Sequence, residues 1–259
     1  MNVPTMAEMM AQGKQPDVLF WVGCAGSFDD RAKKITKAFV KILNKANVVF
    51  AVLGTEESCT GDPAKRSGNE FLFQMQAMAN IEVLNAYDVK KVVTACPHCF
   101  NTIKNEYPEL GGNYEVVHHT QLLKDLLDSG KMTIEGGQFK GKKITFHDPC
   151  YLGRSNGVYE APRDLIRKLD VELVEMKKCK INGLCCGAGG AQMFKDAEKG
   201  TKEVNVLRTE GALEVQPDII ATGCPFCNTM MTDGVKNKDK ETEVAVMDIA
   251  EMIATAQDL

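Results

Sequence analysis

Apolar positions along this chain fall into short dense runs that alternate with longer segments of helical period. Residues 17–23 (D-V-L-F-W-V-G) form a run of the first kind and predict a buried strand ending at Cys24. Residues 31–44 place Ile35, Phe39, Ile42 and Leu43 on one helical face. The alternation continues with a strand over 48–53, a Phe- and Met-rich helix over 68–86 and a strand over 91–95. A further helix, a strand over 114–118 and a helix over 121–127 follow. Ahead of them, Thr5-Met6-Ala7-Glu8 reads as a capping box opening a short helix that stops at Gly13. Its apolar stripe of Met6, Met9 and Met10 is suited to docking on a partner or to packing back on its own domain.

The pattern then recurs. Strands are expected over 143–146, 172–176, 218–222 and 243–246, with helices over 162–169, about 191–215 and the C-terminal segment. Cys24 to Cys150 is a step of 126, Cys59 to Cys186 of 127, and Cys96 to Cys224 and Glu115 to Glu243 of 128. The residues agree: T-A-C-P-H-C-F-N-T stands against T-G-C-P-F-C-N-T-M. The expectation is an α/β protein of two tandem duplicated domains, each a small parallel sheet flanked by helices. Residues 1–16 form a docking segment, 17–135 the first domain and 136–259 the second, with Gly136-Gly137 marking the turn between them.

Composition narrows the classes. With 259 residues, 44% hydrophobic and 25% charged, the chain can bury a substantial core. The net charge of −4, with Lys and Arg scattered, gives no footprint for nucleic acid. No apolar run has the length of a membrane span, and residues 1–14 lack the layout of a signal peptide. A cytoplasmic setting is expected, and there ten cysteines point to metal or redox chemistry over structural disulfides.

In a parallel sheet, ligands gather beyond the carboxyl ends of the strands, where these cysteines fall. Cys24, Cys59, Cys96 and Cys99 follow the strands of the first half, and Cys150, Cys185, Cys186, Cys224 and Cys227 those of the second. One metal centre per half is the expected outcome. Adjacent cysteines such as Cys185-Cys186 suit a polynuclear anion better than one small ion. The glycines at 187, 189 and 190 let backbone N–H groups approach it. Zinc fits the four thiols of the first half better than the five of the second. A thioredoxin-like dithiol at Cys96-Pro97-His98-Cys99 is the other alternative, although it leaves the upstream cysteines unused. By the offset, Ser58 stands where the second half has Cys185, so the first site lacks one thiolate. His147 is a candidate proton carrier, a hydrogen bond to its own loop being the plainer role. His118-His119 is expected to be structural, and Cys179 incidental or an extra thiolate.

The order Cys150, Cys185-Cys186-Gly187, Cys224-x-x-Cys227 resembles the cysteine-rich CCG domain. That domain occurs in the B component of heterodisulfide reductase and in the iron–sulfur proteins of lactate and glycolate oxidation. H-D-P-C-Y-L-G-R, C-C-G-A-G-G-A, A-T-G-C-P-F-C and E-E-S-C-T-G-D-P-A look closest to iron–sulfur oxidoreductases linked to electron transfer flavoprotein. The resemblance implies a noncubane [4Fe-4S] cluster on Cys150, Cys185, Cys186, Cys224 and Cys227. It leaves a cubane [4Fe-4S] cluster or zinc for Cys24, Cys59, Cys96 and Cys99. It further implies an electron-transfer subunit that relays electrons between a flavoprotein or ferredoxin-type partner and a disulfide or quinone acceptor. Longer relatives carry ferredoxin motifs and membrane helices. A ferredoxin-type or membrane iron–sulfur subunit is therefore expected as partner, holding the chain peripherally at the inner face of a membrane.

Overall fold

In the computed structural model, which describes residues 2–134, 137–196 and 199–259, every strand pairing is parallel. The expected domain junction at 135/136, with Gly136 of its turn, lies outside the described residues. Helix α1 (Met6–Ala11) opens with the capping box of Thr5 and Glu8. Met6 and Met9 are buried in the first-half core while Met10 is exposed, and Met6 N–H donates to Val52 O at 2.9 Å. The stripe therefore packs back on its own half.

Strand β1 (Val18–Trp21), helices α2 (Gly23–Phe28) and α3 (Ala32–Lys45), and strand β2 (Phe50–Ala51) follow. Next come α4 (Asp62–Arg66), α5 (Glu70–Ala86), β3 (Lys91–Thr94), α6 (Pro97–Asn101), β4 (Glu115–His118) and α7 (His119–Asp128). The second half supplies β5 (Lys143–Phe146), α8 (Glu160–Arg167), β6 (Glu172–Leu173) and α9 (Val204–Leu213). It closes with β7 (Ile219–Thr222), α10 (Pro225–Asn237), β8 (Ala245–Asp248) and α11 (Ile249–Ala256). The strand orders are β2-β1-β3-β4 and β6-β5-β7-β8, the same order twice.

Register supports the repeat and corrects one landmark. Phe20 pairs with Val93 as Phe146 pairs with Ala221, in agreement with the cysteine offsets of 126 and 128. Lys91 pairs with Glu115, whereas Ile219 pairs with Ala245, so the counterpart of Glu115 is Ala245 and not Glu243. Matching glutamates by letter misses the two residues by which the loop before β8 is longer.

Edge strands are also shorter than expected. The runs 48–53 and 172–176 keep only the two residues of β2 and of β6, because the chain leaves the sheet edge there to build cysteine loops. The helix expected over 191–215 contracts to α9, with one 3₁₀ turn at Gln192–Phe194. Residues 195–203 (K-D-A-E-K-G-T-K-E) offer almost no apolar side chain to bury and contain a helix-weakening glycine; residues 197 and 198 within them lie outside the described residues.

The largest core cluster draws on both halves. Phe39 and Ile42 of α3 share it with Met252 and Ile253 of α11, and Leu123 of α7 with Leu165 of α8. Helix α3 packs on α11, and α7 packs on α8. Since α8 is the counterpart of α3 and α11 that of α7, these contacts are reciprocal, as about a twofold axis. Arg31 reinforces the seam by pairing with Glu251 at 2.6 Å. Among the described residues no helix is long and apolar enough to cross a membrane. The outer face of α5 leaves Phe71, Met75 and Met78 exposed.

Candidate metal centre

Each parallel sheet delivers its cysteines at the carboxyl ends of its strands. Cys24 follows β1 in the first turn of α2, and Cys59 lies in the loop beyond β2. Cys96 and Cys99 stand at the N-terminus of α6, with Cys96 as N-cap. In the second half Cys150 follows β5, Cys185 and Cys186 lie beyond β6, and Cys224 and Cys227 open α10.

In the first site Cys24 donates its S–H to Cys59. That bond brings the Cys59 thiol down to about 7 and pushes Cys24 up. Gly61 N–H also donates to Cys59 Sγ at 3.5 Å. Thr60 Oγ1 lies 3.9 Å from Cys99 Sγ. The β1–α2 turn is held by Glu57, whose carboxylate accepts from Val22 N–H at 2.9 Å and Gly23 N–H at 2.6 Å. Burial raises this carboxyl to about 7 against the pull of those two bonds.

The second site repeats the layout. Cys150 and Cys186 donate to Cys185, and Gly187 N–H reaches its Sγ at 3.3 Å, so Cys185 is held far below an ordinary thiol. Cys186 Sγ lies 3.3 Å from Cys227 Sγ, and its thiol is raised to about 12 by donating to Cys185 and by burial. Ala188 N–H faces Cys186, and Cys227 N–H donates to Cys224 Sγ at 3.4 Å. Gly189 lies against the His98 ring of the first half, and Gly190 turns the chain at φ +68°. Asp148 anchors the Cys150 turn through a bidentate pair with Arg163 at 2.7 and 2.9 Å. Its Oδ2 also accepts from Lys180 N–H at 2.7 Å.

The two sites are neighbours: Cys96 and Cys224, equivalent residues of the two halves, are close enough to shift each other's ionisation. His118 sits beneath them, close to the backbone of Ala95 and Gly223, and burial pushes it well below an ordinary imidazole. His118 leads through His119 (3.2 Å) to Asp248 (3.0 Å), the N-cap of α11. The structural role expected for this histidine pair is thus a strap between the halves. His98 is buried between Tyr151 and Phe226 and hydrogen-bonded to Asp62 at 2.9 Å. Cys179 has Glu175, Asp148 and Arg163 as its charged neighbours and also acts on Arg208.

One substitution moves relative to the sequence-based expectation. Ser58 donates to Asn80 Oδ1 at 2.8 Å and does not occupy the place of Cys185. Cys59 occupies it. Cys59 contacts the first-strand cysteine and takes the N–H of a glycine two residues on, as Cys185 does. Gly61 and Gly187 share left-handed φ values of +88° and +93°. Thr60 is then the counterpart of Cys186, and it faces Cys99 as Cys186 faces Cys227. The signal was present in the sequence: Cys59-Thr60-Gly61 against Cys185-Cys186-Gly187 keeps the 126 step of Cys24 and Cys150.

His147 is fully buried. Arg208 Nε donates to its Nδ1 at 2.9 Å, and its Nε2 has no partner. Burial, then the Arg208 charge, drive this imidazole down to about 3. A ring nitrogen of His147 and the Sγ atoms of Cys186 and Cys227 all lie within 4.8 Å of one another. By the offset of 126 its counterpart is Trp21, another buried ring whose N–H has no partner. Arg208, Thr60 and Glu57 were not singled out from the sequence, because only the tertiary contact marks them.

These donors fit an iron–sulfur cluster. Soft thiolates are contiguous and largely buried, backbone N–H groups aim at sulfur, and the second site offers the five thiols that zinc does not need. The four thiols of the first site fit a cubane cluster or zinc.

The chain matches the CCG cysteine-rich domain twice, over residues 18–104 and 144–232. It is 47% identical over 254 residues to the probable iron-sulfur-binding oxidoreductase FadF of Bacillus subtilis, covering 98% of this chain and 36% of that protein. It is 45% identical to the EtfAB:quinone oxidoreductase of Syntrophomonas wolfei, covering 95% and 35%. With the D component of the dihydromethanophenazine:CoB–CoM heterodisulfide reductase of Methanosarcina barkeri it shares 36% identity over 93% of this chain and 59% of that one. The chain thus spans about a third of the length of the first two relatives. A hypothetical protein from Helicobacter pylori shares the fold, with a TM-score of 0.58 at 8% identity over 95% of this chain and 50% of that one. Duplicated sheets, duplicated cysteine loops and a domain match in each half agree, and the chain belongs to the CCG cysteine-rich domain family.

Proposed function

We propose that this chain is the electron-transfer part of an iron–sulfur oxidoreductase. In this reading the second site holds a noncubane [4Fe-4S] cluster on Cys150, Cys185, Cys186, Cys224 and Cys227. The first site holds a four-thiolate [4Fe-4S] cluster on Cys24, Cys59, Cys96 and Cys99. The observation that carries it is the gathering of buried thiols at the carboxyl ends of both sheets, with Cys186 Sγ 3.3 Å from Cys227 Sγ and Gly187 N–H 3.3 Å from Cys185 Sγ. Bound clusters supply one-electron uptake and release. The chain's own residues fix the thiolates, donate N–H groups to sulfur at Gly187 and Ala188, and exclude water by burying Cys96, Cys99, Cys186, Cys224 and Cys227.

A cavity of about 390 Å³ opens beside Cys24 and is lined by Phe28, Met193, Phe194 and Phe226 among others. Its apolar walls suit a quinone-like ring better than a charged disulfide. The exposed face of α5 suits the flavoprotein or ferredoxin-type partner that turnover requires, and such a partner would hold the chain at the inner face of a membrane. A dithiol oxidoreductase at Cys96 and Cys99 is disfavoured, since both are at least 94% buried. Zinc in the first site is the second reading, supported by the place where Thr60 removes a thiol.

The test is anaerobic reconstitution followed by iron, sulfide and zinc analysis of the intact chain and of a Cys224→Ala/Cys227→Ala variant. About four irons retained by the variant support two clusters, and one zinc with little iron supports the second reading. An intact chain without iron overturns the proposal.

A further inference from the structure

We propose that His147 and Arg208 form a fixed hydrogen-bond donor to the sulfurs of the second site. The pair raises the reduction potential there without ligating metal or carrying protons. The inference rests on the iron–sulfur reading above and adds to it a role for two residues outside the thiol set.

Arg208 is 1% exposed, and all of its donors can be traced. Nε donates to His147 Nδ1 at 2.9 Å, Nη1 donates to Lys178 O at 2.7 Å, and Nη2 has no partner. Among the described residues no carboxylate pairs with it. A buried guanidinium is strongly unfavourable unless an anion compensates it. The groups that act on its charge are Asp148, already bidentate with Arg163, and the sulfurs of Cys227, Cys179 and Cys186. An anionic centre held by Cys227 and Cys186 is the counter-charge that this position lacks in its own hydrogen-bond partners.

The tautomer of His147 follows from the same bond. Arginine is always a donor, so Nδ1 must accept, and a neutral imidazole then carries its proton on Nε2. Nε2 is the buried ring nitrogen without a protein partner. It belongs to the residue that groups with Cys186 Sγ and Cys227 Sγ within 4.8 Å. A nitrogen bearing a proton cannot coordinate iron, so His147 acts here as an N–H donor toward sulfur. A donor to cluster sulfur favours the more negative, reduced form and lifts the potential. His147 is a positioning residue for charge, and Arg208 positions His147.

The experiment uses the full chain carrying its clusters, with potentials taken from a redox titration followed by electron paramagnetic resonance. His147→Phe is expected to keep the iron and sulfide content and to shift the second-site reduction equilibrium at least tenfold toward the oxidised form. For a one-electron couple that is about 59 mV downward. Arg208→Met, which frees the tautomer, is expected to shift the same way, and His147→Gln, which keeps an N–H, to restore much of the difference. Labelling histidine with ¹⁵N in the unaltered protein and in His147→Gln is expected to show a weak hyperfine coupling that this substitution removes; this arm stands if His147→Phe does not fold. A coupling of ligand size, loss of iron from folded His147→Phe, or an unchanged potential with full iron content overturns the donor role. An unaltered chain that takes up no iron overturns the iron–sulfur reading itself and the donor role with it, a separate failure.

Discussion

The first and second halves share strand order, register and the placement of their motif cysteines, yet they differ at the residues that decide chemistry. Where the second half has Cys186 facing Cys227, the first has Thr60 facing Cys99. Where the second has the His147 ring, the first has Trp21. Each half also secures its first cysteine differently. Glu57 accepts two backbone N–H groups beside Cys24, whereas a buried Arg163–Asp148 pair fixes the turn before Cys150. The sheet therefore sets where sulfur arrives, and a few side chains at the strand ends set what that sulfur can hold.

The largest effect that would break this comparison is loss of a centre. Cys185→Ala removes the thiolate that Cys150 and Gly187 both address, and about four irons should be lost from the second site while the first keeps its metal. Equal loss from both sites, measured by iron analysis, would show that they assemble as one unit. Thr60→Cys sharpens the comparison. It supplies a fifth thiol at the position of Cys186, and the visible and paramagnetic spectra of the first site should move toward those of the second. Ser58→Cys, aimed at Asn80, should leave the spectra unchanged; the opposite result would return the missing ligand to position 58.

Smaller effects test the two anchors. Arg163→Met leaves Asp148 buried without its charge partner and should destabilise the chain by about 3–5 kcal/mol. Glu57→Ala orphans the N–H groups of Val22 and Gly23 and should cost about 1–3 kcal/mol. Urea denaturation of both variants beside the parent chain orders the two, and a reversed order would mean that the first-half turn is the more tightly held.

Much of this molecule was legible in its sequence because the strands are buried and apolar and the cysteines follow them directly. β1, β3, β5 and β7 fell where dense apolar runs placed them. The shorter edge strands and the contraction of the 191–215 helix were not legible, since hydrogen-bond pairing and available core, not local propensity, set those limits. Nor was the Thr60 assignment reached, although Cys-x-Gly recurs in both loops; matching the doubled cysteine to Ser58-Cys59 by position hid it. Arg208 is one of six arginines in the sequence, and only its burial beside His147 distinguishes it. The proximity of Cys96 and Cys224 depends on how the halves dock, which spacing alone does not encode.

The reciprocal packing of α3 on α11 and of α7 on α8 has a consequence for ancestry. Contacts of that form are those of a homodimer, in which each subunit offers the same surface to its twin. A single half on its own would leave its part of the mixed core open to water, so a half-length ancestor with this fold would have needed a second copy. Joining the two halves in one chain makes that association intramolecular, independent of protein concentration. It also changes what a mutation does. In a homodimer every substitution is made twice, on both sides of the axis, whereas in the fused chain it is made once. A threonine in place of one cysteine, or a histidine opposite a tryptophan, is accessible only where the two copies are encoded separately.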